Sequence, residues 1–225
     1  MNKIRIKDLI EFRNKNERTR ITFVQNLKKE KDKAEKKSGG DYWISCLSAI
    51  RNSFKLNNKF LMDEKIEILK EKINVADKKI TKNQFQKNID VLENFKEYEL
   101  ISLKPNADLI FLKQSKLKSL LDVNSFPIEV KPCYIYKFSI NNSDEVGGVW
   151  FVAKLDGFKK SELAMFTDIM YRYLLKNYSN MFYVNPDYCI AVDIFRGQEV
   201  RYSEIKKGEI PILIENTIEK IKQFN

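Results

Sequence analysis

The period of the apolar residues changes near Glu99, and this change bounds the folds open to the chain. Before it, apolar side chains recur at three- and four-residue intervals, which places them on one stripe of a helix. Beyond it they alternate, which places them on one face of a strand. A helical N-terminal region followed by strands and helices is an α+β pattern, with a mostly antiparallel sheet flanked by helices.

Within the first part, Ile6 to Phe12 is a short amphipathic piece, followed by the polar stretch RNKNERTR. A second helix is expected from about Thr19, with Ile21, Val24 and Leu27 on one side. Gly39-Gly40 suits its end, because glycine readily takes the left-handed conformation there. Asp41 is placed to cap the next helix, whose stripe is Trp43, Leu47, Ile50 and Phe54. A further helix carries Ile66, Leu69 and Ile73. Thr81 with Gln84 reads as a capping box ahead of Phe85, Ile89, Leu92 and Phe95.

In the second part, LISLK and LIFL read as short strands around the turn Pro105-Asn106-Ala107-Asp108. SKLKSLL reads as one or two helical turns. IEVKPCYIYKFSI, residues 128–140, reads as one long strand that turns at Asn141-Asn142-Ser143-Asp144 into VGGVWFVAKL, forming an antiparallel hairpin. Gly147-Gly148 marks a bulge or a close backbone approach. Ser161 is expected to cap a strong helix with Leu163, Phe166, Met170, Tyr173 and Leu174 facing inward. YCIAVDIF and EVRYS follow as strands, and Pro211 opens a last helix with Ile214, Ile218 and Ile221. The expected division is a basic helical region over 1–80 and an α+β region over 81–225, or one continuous domain across both.

The 225 residues contain no histidine. Ser-His-Asp and Cys-His nucleophilic sites, histidine nucleases and HExxH proteases are therefore excluded. Any catalysis must use carboxylates, lysine, tyrosine, serine or threonine, or a hard cation held by oxygen. Cys46, Cys133 and Cys189 lie far apart in apolar runs, which suits buried thiols and not a disulfide framework or a CxxC metal site. No phosphate-binding glycine loop is present. No apolar run approaches the roughly 20 residues of a membrane span. The N-terminus has neither the apolar core nor the small-residue cleavage site of a secretion signal, so the expected location is cytoplasmic.

The net charge of +10 is concentrated at the start, where residues 1–40 hold 13 basic and 6 acidic side chains. Arg13, Lys15, Arg18 and Arg20 lie between Phe12 and Phe23, and arginine forks suit bidentate phosphate contact. This arm is the candidate nucleic-acid contact, with DNA or RNA as partner, or an acidic protein in its place. The plainer reading is a solvated helix surface. Gly39-Gly40-Asp41-Tyr42-Trp43 reads more simply as a helix stop, cap and buried tryptophan than as a ligand loop. Asp193, inside IAVDIF, is expected either to pair with a base or to lie on an open face.

Asp108, followed by Glu129-Val130-Lys131, resembles the PD-(D/E)xK nuclease pattern. The resemblance implies an acid and an acid-x-lysine pair on adjacent strands, a helix before the strand meander and another after the acid-x-lysine strand. Asp108 and Glu129 would then hold Mg²⁺ and Lys131 would orient the attacking water. Three features depart from the pattern: Pro132 directly follows Lys131, Pro105 is not adjacent to Asp108, and Val152-Ala153-Lys154 lacks the acid. The readings that follow are a nucleic-acid or acidic-partner binder acting through the basic arm, a Mg²⁺-dependent nuclease, a degenerate nuclease-like fold kept for binding, and a non-catalytic subunit of an assembly that can be oligomeric. A cofactor is required only by the nuclease reading.

Overall fold

Asn141 and Asn142 both have positive φ, 49° and 62°, and close a two-residue turn between β5 (Tyr134–Ile140) and β6 (Ser143–Val152). Asparagine tolerates this left-handed region better than most residues, and the resulting twist matches that of paired strands. The expected antiparallel hairpin forms, with Ile140 opposite Ser143 and Tyr134 opposite Val149. The computed structural model describes residues 3–28, 42–113 and 119–224. Gly39-Gly40, Asp41, the lysine-rich run after Lys28 and Ser115 to Lys118 lie outside them.

The hairpin is the middle of a five-stranded sheet. β2 (Ile110–Leu112) pairs antiparallel with β5 on one side. β7 (Tyr183–Asp193) pairs parallel with β6 on the other, and β8 (Gln198–Arg201) closes that edge antiparallel. The parallel pair is joined by the crossover helix α6 (Lys160–Tyr178). A second sheet of three strands has the order β1 (Ile4–Arg5), β4 (Phe126–Glu129), β3 (Leu120–Val123), with β1 parallel to β4. Four of the six pairings among the described residues are antiparallel. The chain is α+β, as its pattern implies.

Alternation sends the two faces of the central sheet into separate cores. Val149 and Phe151 of β6 and Ile190 and Val192 of β7 join Phe54, Ile66, Leu92 and Phe95. Those residues come from α3 (Ile44–Leu56), α4 (Phe60–Val75) and α5 (Lys79–Phe95). Val146, Val152, Cys189 and Ala191 face the other way, onto α6. That core also takes α1 (Ile6–Asn14), Val24 of α2 (Glu17–Lys28), Ile205 of α7 (Tyr202–Lys206) and α8 (Ile214–Lys222). Most positions of the helical stripes read from the sequence are buried, with Ile50, Phe54, Leu163, Met170, Leu174, Ile214, Ile218 and Ile221 fully covered, whereas Ile21 of α2 is exposed and Leu27, Ile73 and Phe85 are half-buried.

Gly147 sits where β6 shifts register against β7. A Cβ there would stand 2.5 Å from the Tyr188 carbonyl oxygen. The glycine pair therefore marks both a bulge and a close approach of two backbones.

Several boundaries depart from expectation. Residues 128–140 are two strands in two sheets, broken at Val130–Cys133, because Pro132 donates no N–H and biases the residue before it. LISL is a 3-10 turn, Leu100–Leu103, that buries Leu100 and Leu103. Leu120 and Leu121, expected in a helical turn, belong to β3. α5 starts at Lys79, so Thr81 lies within its first turn, while Gln84 donates instead to the Tyr42 carbonyl at 3.2 Å. α6 starts at Lys160, and it is the Glu162 carboxylate, not Ser161, that takes the Lys159 N–H at 3.0 Å. Pro211 precedes α8 by three residues instead of opening it.

Candidate functional site

Beyond the carboxyl ends of the parallel pair lies a hollow of about 730 Å³, lined by the segment after β6 and by Arg196 after β7. Such a gap outside the carboxyl ends of neighbouring parallel strands is a common place for a ligand. One wall is α1, through Lys7, Ile10, Glu11 and Asn14. The opposite wall is the segment from Ala153 to Lys159 that leads from β6 into α6, with Glu162 and, from the β7–β8 turn, Arg196. Trp43, at the start of α3, completes the floor.

The wall after β6 is held by buried acids. Asp193 is fully buried at the end of β7, and its carboxylate accepts the N–H groups of Phe158 at 2.7 Å and Phe195 at 3.0 Å. Burial pushes its pKa above the usual carboxylate value, while the backbone donors pull it partly back. Asp193 is not on an open face; backbone amides satisfy its carboxylate, the nearby charge of Arg196 also favours its ionised form, and no direct ion pair to it occurs among the described residues. Gly157 has φ +71°, and a Cβ on it would stand 2.5 Å from the Asp193 carboxylate. Arg196 ties the same loop down by donating to the Asp156 carbonyl at 2.8 Å.

Glu162 organises the other side. It is almost fully buried and accepts from Asn14 Nδ2 at 2.7 Å, from the Lys159 N–H at 3.0 Å and from Lys154 Nζ at 3.4 Å. Burial raises its pKa, but these donors lower it further, and the net shift is below the ordinary glutamate value. Its charge is thus matched within the wall. Lys7 and Lys159 are exposed at the rim, and among the described residues neither has a carboxylate partner. Lys7, Lys154, Lys159 and Arg196 line one hollow together with Glu11, Asp156 and Glu162, and the apolar side chains behind them, Ile10, Trp43, Ala153 and Phe158, are almost fully buried.

The residues expected to hold a metal are placed apart. Asp108 is exposed in the loop before β2, beside a second hollow of about 580 Å³ shared with Lys55 and Lys104. Glu129 ends β4 of the smaller sheet, where one carboxylate oxygen takes both Lys3 at 2.6 Å and Lys131 at 2.8 Å. Burial raises the Glu129 pKa, and the two lysines bring the net value below the ordinary one. The structure therefore brings Glu129 and Lys131 together as an ion pair. It does not set Asp108 on a strand adjacent to theirs. No cluster of three or more acidic or cysteine side chains suited to a metal occurs among the described residues.

The basic arm is partly occupied by the fold itself. Arg13 donates to Thr217 Oγ1 at 3.1 Å, fastening α1 to α8. Arg20 donates to the carbonyls of Phe12 and Arg13 and lies over the Phe12 ring at 5.1 Å. Lys15 pairs with Glu11 at 2.9 Å and lies over Phe23. Arg18 is exposed on α2. Sequence reasoning noticed Lys154 only as a lysine lacking its acid and missed Lys7, Lys159 and Arg196. The usable signal was the run of charge and turn residues between a buried strand and a strong helix, Lys154 to Lys160.

Compared with family models, with curated proteins and with solved structures, the chain matches none. No helix among the described residues is long and apolar enough to cross a membrane.

Proposed function

We propose that this protein binds nucleic acid, with its contact surface at the hollow between α1 and the carboxyl ends of β6 and β7. The observation that carries the reading is the convergence of Lys7, Lys154, Lys159 and Arg196 from three distant parts of the chain. Lys7 and Lys159 have no carboxylate partner among the described residues and are open to charge-assisted contact with a phosphate, while Glu11, Asp156 and Glu162 of the same lining offset part of the positive charge. The basic arm extends the surface, since Asn14 lines the hollow and Lys15 and Arg18 follow it directly. Arg13 and Arg20 then act mainly by holding α1 and α2 in place.

A helix before the strands, α5, and a helix after β6, α6, agree with the order that the nuclease resemblance implies, although β3 and β4 are inserted between β2 and β5; this supports a nuclease-like frame used for binding. The strand in the acid-x-lysine place is β6, which runs into Val152-Ala153-Lys154 without the acid, whereas Glu129 and Lys131 neutralise each other elsewhere. Hydrolysis has no assembled carboxylate pair behind it in this reading, and Mg²⁺ is not required.

The test is fluorescence anisotropy of labelled DNA and RNA oligonucleotides at low and physiological salt. Binding should weaken steeply with salt, and Lys7→Gln and Lys159→Gln should each flatten the log-log slope by roughly 0.7 to 0.9. No binding at low salt would overturn the reading.

A further inference from the structure

The five-stranded sheet ends at β2, which pairs with β5 on one side and with no strand on the other among the described residues. Beside it lies the second hollow, of about 580 Å³, which shares no lining residue with the first. Its apolar lining reaches solvent: Ile101 is 59% exposed, and Leu109 and Phe111 are half-buried. Alternation sets Leu109 and Phe111 on one face at this edge, the face that meets Phe54 of α3. Two lysines reach the same hollow over aromatic supports. Lys55 lies over the Phe111 ring at 5.8 Å, and Lys104 lies over the Phe54 ring at 4.8 Å. Neither has a carboxylate partner among the described residues, and burial lowers the Lys104 pKa. Asp108 is the only acid among the lining residues.

We propose that β2 and this hollow dock an extended acidic segment of a partner protein, which adds a strand to the sheet and sets an apolar side chain beside Ile101 and Phe111. An open edge offers backbone N–H and C=O groups, and an extended polypeptide matches them. Every second side chain of the added strand lies on the face of Leu109 and Phe111, where the hollow receives it. Carboxylates two residues to either side of the apolar one share that face. They supply Lys55 and Lys104 with the counter-ions that the chain itself does not. The segment is thus acid-x-apolar-x-acid. β2 is three residues long, so the backbone bonds are few and these side chains must carry much of the affinity. A nucleic-acid strand could take the two cations, but it has nothing to pair with the backbone edge.

The experiment titrates full-length protein into the fluorescein-labelled peptide Thr-Glu-Thr-Leu-Thr-Glu-Thr and follows its anisotropy at low and physiological salt. When extended, this peptide has leucine and both glutamates on one face. Saturable binding that weakens with salt is expected, and Lys55→Gln and Lys104→Gln should each reduce it by up to about fivefold. Ile101→Ser should also weaken it, with urea midpoints of all three variants close to the parent's. The isomer Thr-Glu-Leu-Thr-Thr-Glu-Thr, with leucine on the opposite face from the acids, should bind several-fold more weakly. No saturable binding at low salt, equal binding of the isomer, or indifference to all three substitutions would overturn the proposal. Displacement of the peptide by a single-stranded oligonucleotide would overturn it too, because the lysines would then serve phosphate. The comparison of isomers uses the unaltered protein and so does not depend on any variant folding.

Discussion

The Phe158 N–H donates to the Asp193 carboxylate at 2.7 Å although the two residues are 35 apart in sequence. The contact joins the loop after β6 to the end of β7 and so shapes the hollow from below. Asp193 Oδ1 takes the Phe195 amide on its other side, so one buried side chain stabilises the turns that follow both parallel strands. Replacing Asp193 by Ala would leave these amides without an acceptor. The expected loss is about 1–3 kcal/mol in urea unfolding, with weaker oligonucleotide binding because the Lys154–Lys159 loop loosens. Asp193→Asn keeps one acceptor oxygen but turns a second donor toward an N–H, so it should also destabilise. Unchanged stability in both variants would show that the amides find other acceptors.

Glu162 makes the stability of this wall depend on pH in a definite direction. Burial raises its pKa, but hydrogen bonds from Asn14 and the Lys159 amide, with the charge of Lys154, bring the folded value below the ordinary 4.5. A depressed folded pKa means that its contribution is present above the unfolded value and is lost as pH falls through the folded one. Stability should therefore decline as pH drops below about 4.5, and Glu162→Gln should flatten that decline while lowering stability at pH 7 by about 1–3 kcal/mol. Thermal unfolding of both proteins between pH 3 and 7 measures it. Parallel pH curves would remove Glu162 as the cause.

The basic arm separates into residues that hold the fold and one that faces solvent. Arg20 lies over Phe12 and donates to two carbonyls, so Arg20→Gln should cost about 1–2 kcal/mol of stability. Arg18 is exposed, and Arg18→Gln should stay within about 0.5 kcal/mol of the parent while lowering nucleic-acid affinity and its salt dependence. Urea midpoints and anisotropy titrations of the same two samples decide this. A stability loss from Arg18→Gln equal to that from Arg20→Gln would mean that both serve the fold.

Much of the local structure was legible because it is written in periodicity. Leu47, Ile50 and Phe54, or Leu163, Met170 and Leu174, are three and four residues apart and are buried as that spacing requires. Asn141-Asn142 and Gly147-Gly148 were legible because few residues suit left-handed turns or backbone contact. Helix starts were not. Lys159 and Lys78 occupy the cap positions, and the polar groups expected to cap are used elsewhere or lie one turn inside. The hollow was not legible either. Lys7, Lys154 and Arg196 share no local pattern, and the partner that neutralises Glu129 alongside Lys131 is Lys3, 126 residues away.

The sequence by itself determined the order of helices and strands, the apolar face of each and the clustering of positive charge at the start of the chain. These properties depend on neighbours a few residues apart, and they survive whatever the rest of the chain does. Only the tertiary structure decided that residues 126–129 and 134–140 belong to different sheets, that β6 and β7 run parallel, and that α1 closes over their ends. Alternation on either side of Pro132 is the same in both sheets, so the choice of partner strand rests on contacts between distant segments. The hollow is completed by those contacts, because Ala153–Lys159 supplies one wall while α1, Trp43 and Arg196 reach it from distant parts of the chain.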